Sequence, residues 1–251
     1  FGVGLQPVLR EVQAGRFDTV GSVLSALAIG AIVLGIHEGP ERGWTDVLAL
    51  GGLVIGFGAL AAFVVWELRQ DHPLLDIRVF SHRGLAAGSV TLLVVFAVMF
   101  GVFLVLPQFT QAVLGYSTLK AGSALIPQAV MMMIFAPLST RWVHRFGNKL
   151  VVVFGMLVVT GTLLLMLTFE ADSSTWHVVG VTALLGLGMA HVMPAATESI
   201  MGSLPREKAG VGSAMNDTTR QVGGAVGVGV LGSVLSSRYG AQVTSALNGV
   251  V

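Results

Sequence analysis

Residues 85–107 read LAAGSVTLLVVFAVMFGVFLVLP, a run of 23 residues without one charge. A helix rises ~1.5 Å per residue, so crossing ~30 Å of hydrocarbon takes roughly 20 mostly apolar residues. This run is long enough. Working outward from it, runs of the same character occupy 19–37, 47–66, 121–140, 150–169, 177–201 and 209–236. None shows the period-2 alternation of a membrane β-barrel. The whole chain agrees: 54% of its residues are hydrophobic and 11% charged, with a mean hydropathy of +0.83. A soluble domain carries about 25% charged residues, and a surface this poor in charge suits lipid better than water. The expected fold class is all-α, a polytopic helical membrane protein of about seven transmembrane helices.

Charge placement sets the expected orientation. With residues 1–18 on the cytoplasmic side and alternating spans, that side holds Arg10, Arg16, Arg69, Arg78, Arg83, Arg141, Arg145, Lys149, Arg206 and Lys208. The opposite side holds Arg42, Lys120 and Arg238, while Arg220 lies within a span. Ten against three is a clear positive-inside bias. Trp44, Trp66, Trp142, Trp176, Tyr116 and Tyr239 fall beside span ends, where amphipathic rings prefer the headgroup level. The chain opens at Phe1, and residues 1–17 lack the pattern of a signal peptide. The expectation is a segment of a longer protein, with helices missing on both sides. A net charge of +1 gives no reason to expect nucleic acid, and the lack of cysteine excludes disulfides and thiolate metal sites.

The last span carries the polar chemistry. At 100° per residue, Ser213, Asn216, Asp217, Arg220 and Gln221 fall within an arc of about 140°. Asp217 and Arg220 are expected roughly 12–16 Å into the bilayer, where a charge costs at least a few kcal/mol unless paired or facing water. Three residues apart, they can pair with each other and lock the helix to a neighbour. The competing reading is a polar face on a substrate or proton path, with Asn216 and Gln221 beside them. Gly223 and Gly227 form a GxxxG pair, with Gly229 on a second small-residue line, a pattern that lets helix backbones approach closely.

Other intramembrane polar residues are Glu198, expected at the cytoplasmic end of the sixth span, and His191 about two turns earlier, with Pro194 between. Glu198 reads as an interfacial carboxylate or a coupling group. His191 titrates near neutral pH when unperturbed, but alone among apolar neighbours it reads as a packing residue. Asp18 suits the N-terminus of the first span. Met131, Met132 and Met133 cannot share one face, and offer pliable contacts to apolar ligands or neighbours. Gln108, Gln111 and Gln128 read as interface residues. The chain has no HExxH, GxSxG or Walker A motif. Asp71 and Asp76 lack the second acidic motif of a membrane prenyltransferase, and no mid-span Lys is present for a retinal Schiff base. An enzyme is not expected, nor is a cofactor or metal.

Several landmarks together resemble the major facilitator superfamily, and most closely its fourteen-span branch of drug:proton antiporters. They are residues 17–24 (FDTVGSVL) with 35–40 (GIHEGP) and Gly43-Trp44; residues 73–80 (PLLDIRVF); and residues 114–117 (LGYS) with Ala121 and Gly122. Two more are Pro137, Leu138, Arg141, Arg145, Gly147 and Lys149, similar to the superfamily's basic cytoplasmic loop, and residues 210–224, the most specific of the five. The resemblance implies a cytoplasmic loop over 1–18, two central linker helices over 19–66 and a second cytoplasmic loop over 67–84. Residues 85–251 would then be the first five helices of the C-terminal transporter half. It further implies a multi-pass protein of the cytoplasmic membrane that exports amphipathic compounds against proton influx by alternating access. Its partners would be membrane lipid, the amphipathic substrate, protons and the N-terminal half of the same protein. Asp217, Arg220 and Glu198 are candidates on grounds of burial, not carried over from the family. The alternatives are a dedicated exporter of one endogenous metabolite, such as an antibiotic, siderophore or lipid, and a non-transporting sensor or assembly protein.

Overall fold

The structure is a computed structural model and describes residues 18–70, 83–204 and 209–248. Residues 73–80 and 71–76, and the basic residues Arg10, Arg16, Arg78, Arg206 and Lys208, lie outside the described residues. Among the described residues every regular element is helical: α1 (Thr19–Arg42), α2 (Val47–Arg69), α3 (Arg83–Gln108), α4 (Thr118–Ser123), α5 (Ile126–Phe146), α6 (Asn148–Met166), α7 (Thr175–Gly202) and α8 (Ala209–Asn248). A π-helical turn, Phe109–Val113, extends α3 directly beyond Pro107, whose missing N–H already interrupts the regular ladder.

Local chemistry explains where these helices start and turn. Asp18, Asp46, Ser117 and Ser174 cap α1, α2, α4 and α7 by accepting from backbone N–H groups, which would otherwise be orphaned at the helix start. The turns after α1 and α5 pass through Gly43 (φ 95°) and Gly147 (φ 83°), a region open to glycine and costly for other residues. The expected single span over 121–140 is instead α4 followed by α5. The break falls at Ala124–Leu125, with Pro127 in the first turn of α5, where proline is tolerated.

Six stretches are long and apolar enough to cross a membrane: Thr19–Gly39, Val47–Arg69, Arg83–Val113, Thr118–Phe146, Asn148–Met166 and Thr175–Gly202. The seventh expected span is not among them by composition. Its charges and its many glycines lower the hydropathy of α8, although at 40 residues it is long enough to cross at ~1.5 Å per residue. Large apolar side chains point outward, among them Val54, Phe57, Leu157 and Leu164. That is the reverse of a water-soluble surface and fits a hydrocarbon solvent.

Helix α7 sits at the centre, packed by α3, α5 and α6, while α8 lies between α3 and α1. The main core joins Val95 and Val102 of α3, Val159 of α6, and Val178, Leu185, Met189 and Val192 of α7. Small residues set the closest approaches. A Cβ at Gly155 would lie 2.8 Å from Gly188 O, one at Gly52 2.9 Å from Ala31 O, and one at Gly35 2.8 Å from Ala49 O. The α1–α2 pair is thus a tight hairpin of its own.

Candidate functional site

The polar arc of α8 divides in the structure. Ser213, Asp217 and Gln221, four residues apart in turn, form an exposed stripe. Asn216 is buried and accepts a hydrogen bond from Thr197 Oγ1 of α7 at 3.3 Å. Arg220 is half-buried, its guanidinium carbon 5.1 Å from the centroid of the Phe96 ring on α3. The arginine Nε is enclosed with no hydrogen-bond partner among the described residues. The expected Asp217–Arg220 ion pair does not form; among the described residues the only ion pair is Arg42–Glu38. The reason is rotational. Asp217 stands on the open stripe, whereas Arg220 is turned far enough to meet α3, and stacking on a ring suits a planar, weakly hydrated cation.

The glycines of α8 face its neighbours. A Cβ at Gly223 would meet Leu93 O of α3 at 2.5 Å, one at Gly227 would overlap Ala97 O, and one at Gly229 would overlap the Ile36 side chain of α1. Two directions around α8 are therefore occupied, by α3 and α1, and the exposed polar stripe takes a third.

Glu198 is exposed on α7. Arg141, Arg145 and Lys149 are exposed around the α5–α6 turn at Gly147, and the Arg145 guanidinium lies 5.5 Å from the Phe146 ring. This turn is pinned to α7. Asn148 Nδ2 donates to Ala195 O at 2.9 Å, and Ser139 Oγ donates to His191 O at 3.2 Å.

His191 is fully buried. Its Nδ1 lies 2.8 Å from Leu187 O; a carbonyl can only accept, so that nitrogen carries the proton. Phe135, Trp142 and Phe154 surround the ring with centroids 6.1, 5.0 and 5.1 Å away. Trp142 is therefore a packing partner of His191 as well as a ring near a span end. Trp66 similarly reaches inward, its Nε1 donating to both Asp18 oxygens at 3.1 and 3.2 Å. Gln128, expected at an interface, is buried, with its Nε2 3.5 Å from Met189 Sδ. The aromatic enclosure and the Thr197–Asn216 bond had no signal in the sequence, because their members are scattered between Phe135 and Asn216 and meet only through packing.

A bundle of long apolar helices with a polar stripe on one of them is the architecture of a polytopic membrane protein. A family model, Major Facilitator Superfamily, matches residues 15–228, and the chain belongs to that superfamily. It is 30% identical over 228 residues to the uncharacterized MFS-type transporter YhcA of Bacillus subtilis, covering 91% of this chain and 43% of that protein. It is 37% identical over 242 residues to the tetracenomycin C resistance and export protein of Streptomyces glaucescens (93% and 44%). With the multidrug resistance protein Stp of Mycobacterium tuberculosis it shares 32% over 239 residues (95% and 44%). The chain thus spans less than half the length of these relatives.

Proposed function

We propose that this chain is part of a fourteen-span drug:proton antiporter of the cytoplasmic membrane. In this reading residues 19–66 are the central helix pair and residues 85–251 the first five helices of the C-terminal half. The remaining half of the same protein is the partner that completes the path. The whole protein exports amphipathic compounds by alternating access, driven by proton influx. The observation that carries this reading is family membership with relatives named for multidrug resistance and for antibiotic resistance and export. The exposed Ser213–Asp217–Gln221 stripe supports it, since a carboxylate within a span and without an ion-pair partner among the described residues is costly and is kept where a polar path needs it.

The test is efflux of a cationic dye by the intact protein under a proton gradient, wild type beside Asp217→Asn, normalised to folded protein. Efflux that collapses with a protonophore, and falls at least about tenfold in the variant, is the expected result. That fall corresponds to about 1.4 kcal/mol on the transport barrier. Robust efflux with an equally active variant would remove Asp217 from the path, and no efflux under a confirmed gradient would sink the multidrug reading. The relative named for tetracenomycin C resistance and export favours a second reading, a dedicated exporter of one endogenous metabolite such as an antibiotic, siderophore or lipid. A narrow resistance profile across unrelated dyes separates the two.

A further inference from the structure

Arg220 stands eleven residues past the start of α8 at Ala209. The ring it stacks on belongs to Phe96, thirteen residues past the start of α3 at Arg83. At ~1.5 Å per residue these are rises of about 16 and 20 Å, near the middle of a hydrocarbon layer ~30 Å thick. A headgroup phosphate stands at the surface of that layer, out of reach. A charge at this depth is kept where it is paired, binds a ligand or meets water.

No described residue supplies a pair. The guanidinium makes no ion pair among the described residues, and of its nitrogens only Nε is enclosed, without an acceptor. The Phe96 ring attracts the charge through its π face but takes none of the in-plane hydrogen bonds of the fork. Asp217, three residues back, is turned onto the exposed stripe. One turn below Arg220, Asn216 repeats the pattern. Its Oδ1 accepts from Thr197 Oγ1 at 3.3 Å, which leaves Nδ2 as a donor with no acceptor among the described residues. Residues four apart share a helix face, so this face of α8 presents donors only. Phe96 in turn belongs to an apolar patch with Leu92, against which Met99 of α3 and Met193 of α7 pack. Methionine gives such a patch pliable contacts.

We propose that Arg220 and Asn216 form a binding site for a carboxylate. An ionised carboxylate only accepts, is planar, and takes two parallel N–H bonds from a guanidinium. With Nε shut in, the edge between the two Nη groups is the one on offer, and Asn216 Nδ2 adds a further donor on the same face. Two sources carry this group: an amphipathic organic acid, its apolar body on Phe96, Met99 and Met193, or an acidic side chain of the remaining half of the protein. As cargo recognition the first rests on the exporter reading, but binding itself requires no transport.

The test uses the intact protein in phosphatidylcholine nanodiscs, with a trifluoromethyl-diazirinyl benzoate as probe and the matching benzamide as its neutral isostere. Photolabelling is mapped over residues 92–99, 193–197 and 213–223, beside thermal unfolding of the wild type, Arg220→Met and Arg220→Lys. Methionine keeps an unbranched apolar stem against Phe96 without the charge, whereas lysine keeps the charge without the fork. If a free acid is the occupant, benzoate labels the wild type at least about tenfold more than benzamide and within about twofold of it in Arg220→Met. The Tm of that variant then lies no more than about 2 °C below wild type. If an acid of the remaining half is the occupant, the probes label equally and Arg220→Met lowers Tm by at least about 5 °C, about half of it recovered by Arg220→Lys. Equal labelling with an unchanged Tm overturns the proposal, as does a benzoate preference that survives Arg220→Met or a Tm loss that lysine leaves unrecovered. The same Tm loss in Asp217→Asn, with no addition in the double variant, overturns it too, because the acid is then on α8 itself. Benzoate labelling without dye efflux retains the site and sinks the exporter reading, while efflux with equal labelling and an unchanged Tm does the reverse.

Discussion

Asp217 and Arg220 are less than one helical turn apart, yet their side chains meet different surroundings. Arg220 stacks on Phe96, a contact of roughly 0.5–2 kcal/mol depending on desolvation, while Asp217 remains on the exposed stripe. Their sequence spacing allowed a pair; the neighbours of α8 determined that none forms. His191 makes the complementary point. Its Nε2 is buried without a hydrogen-bond partner among the described residues, and its ring is held by three aromatic side chains. His191→Leu loses one hydrogen bond to Leu187 O but also removes an unsatisfied nitrogen, so the terms nearly offset. The expected change in unfolding free energy is within about 1 kcal/mol, measured by steric trapping in bilayers, with dye efflux retained. Loss of efflux from a variant of normal stability would show that the imidazole does more than pack.

Within the elements, α8 has the clearest division of labour. Its glycines lie against α3 and α1, and a side chain at Gly227 would overlap the Ala97 carbonyl. Gly227→Leu must separate the helices, and overpacking of this kind costs about 1–3 kcal/mol or more. The expected outcome is lower thermal stability in detergent, read by the temperature at which the protein leaves a monodisperse gel-filtration peak. The packing of α8 on α1 is checked by cross-linking, since the chain has no cysteine to confuse the result. A disulfide is expected between Ile36→Cys and Gly229→Cys, which are in contact, and none between Ile29→Cys and Ala214→Cys, on the α1 and α8 walls of a cavity of about 540 Å³. Formation of the second at the rate of the first would mean that the cavity closes. The Gly223–Gly227 spacing announced close packing, but which helix meets it was settled only by the fold.

For the whole molecule, the outward display of Val54, Phe57, Leu157 and Leu164 removes any reading as a water-soluble bundle. The distribution of basic residues predicts the sidedness. Arg145→Cys should react with an impermeant maleimide only after the membrane is opened, and Lys120→Cys should react in intact cells. The reverse pattern would invert the topology. Both residues are exposed at helix ends, so lack of reaction at both would point to occlusion by the rest of the protein.

The apolar runs determined by themselves that the chain is helical and belongs in lipid. A backbone in hydrocarbon must satisfy its hydrogen bonds within the segment, which leaves little freedom once a run is about 20 residues long. Span ends were legible to within a few residues except where α8 continues to Asn248 and where a break at Ala124–Leu125 divides α4 from α5. Candidate charges were legible too, because they stand out against an apolar background. What each charge meets was not. Arg220 on Phe96, Thr197 with Asn216 and Asp18 beside Glu67 join residues distant in sequence, through the rotation of each helix about its axis. Those rotations are set by side-chain packing and glycine contacts between helices, and only the tertiary structure decides them.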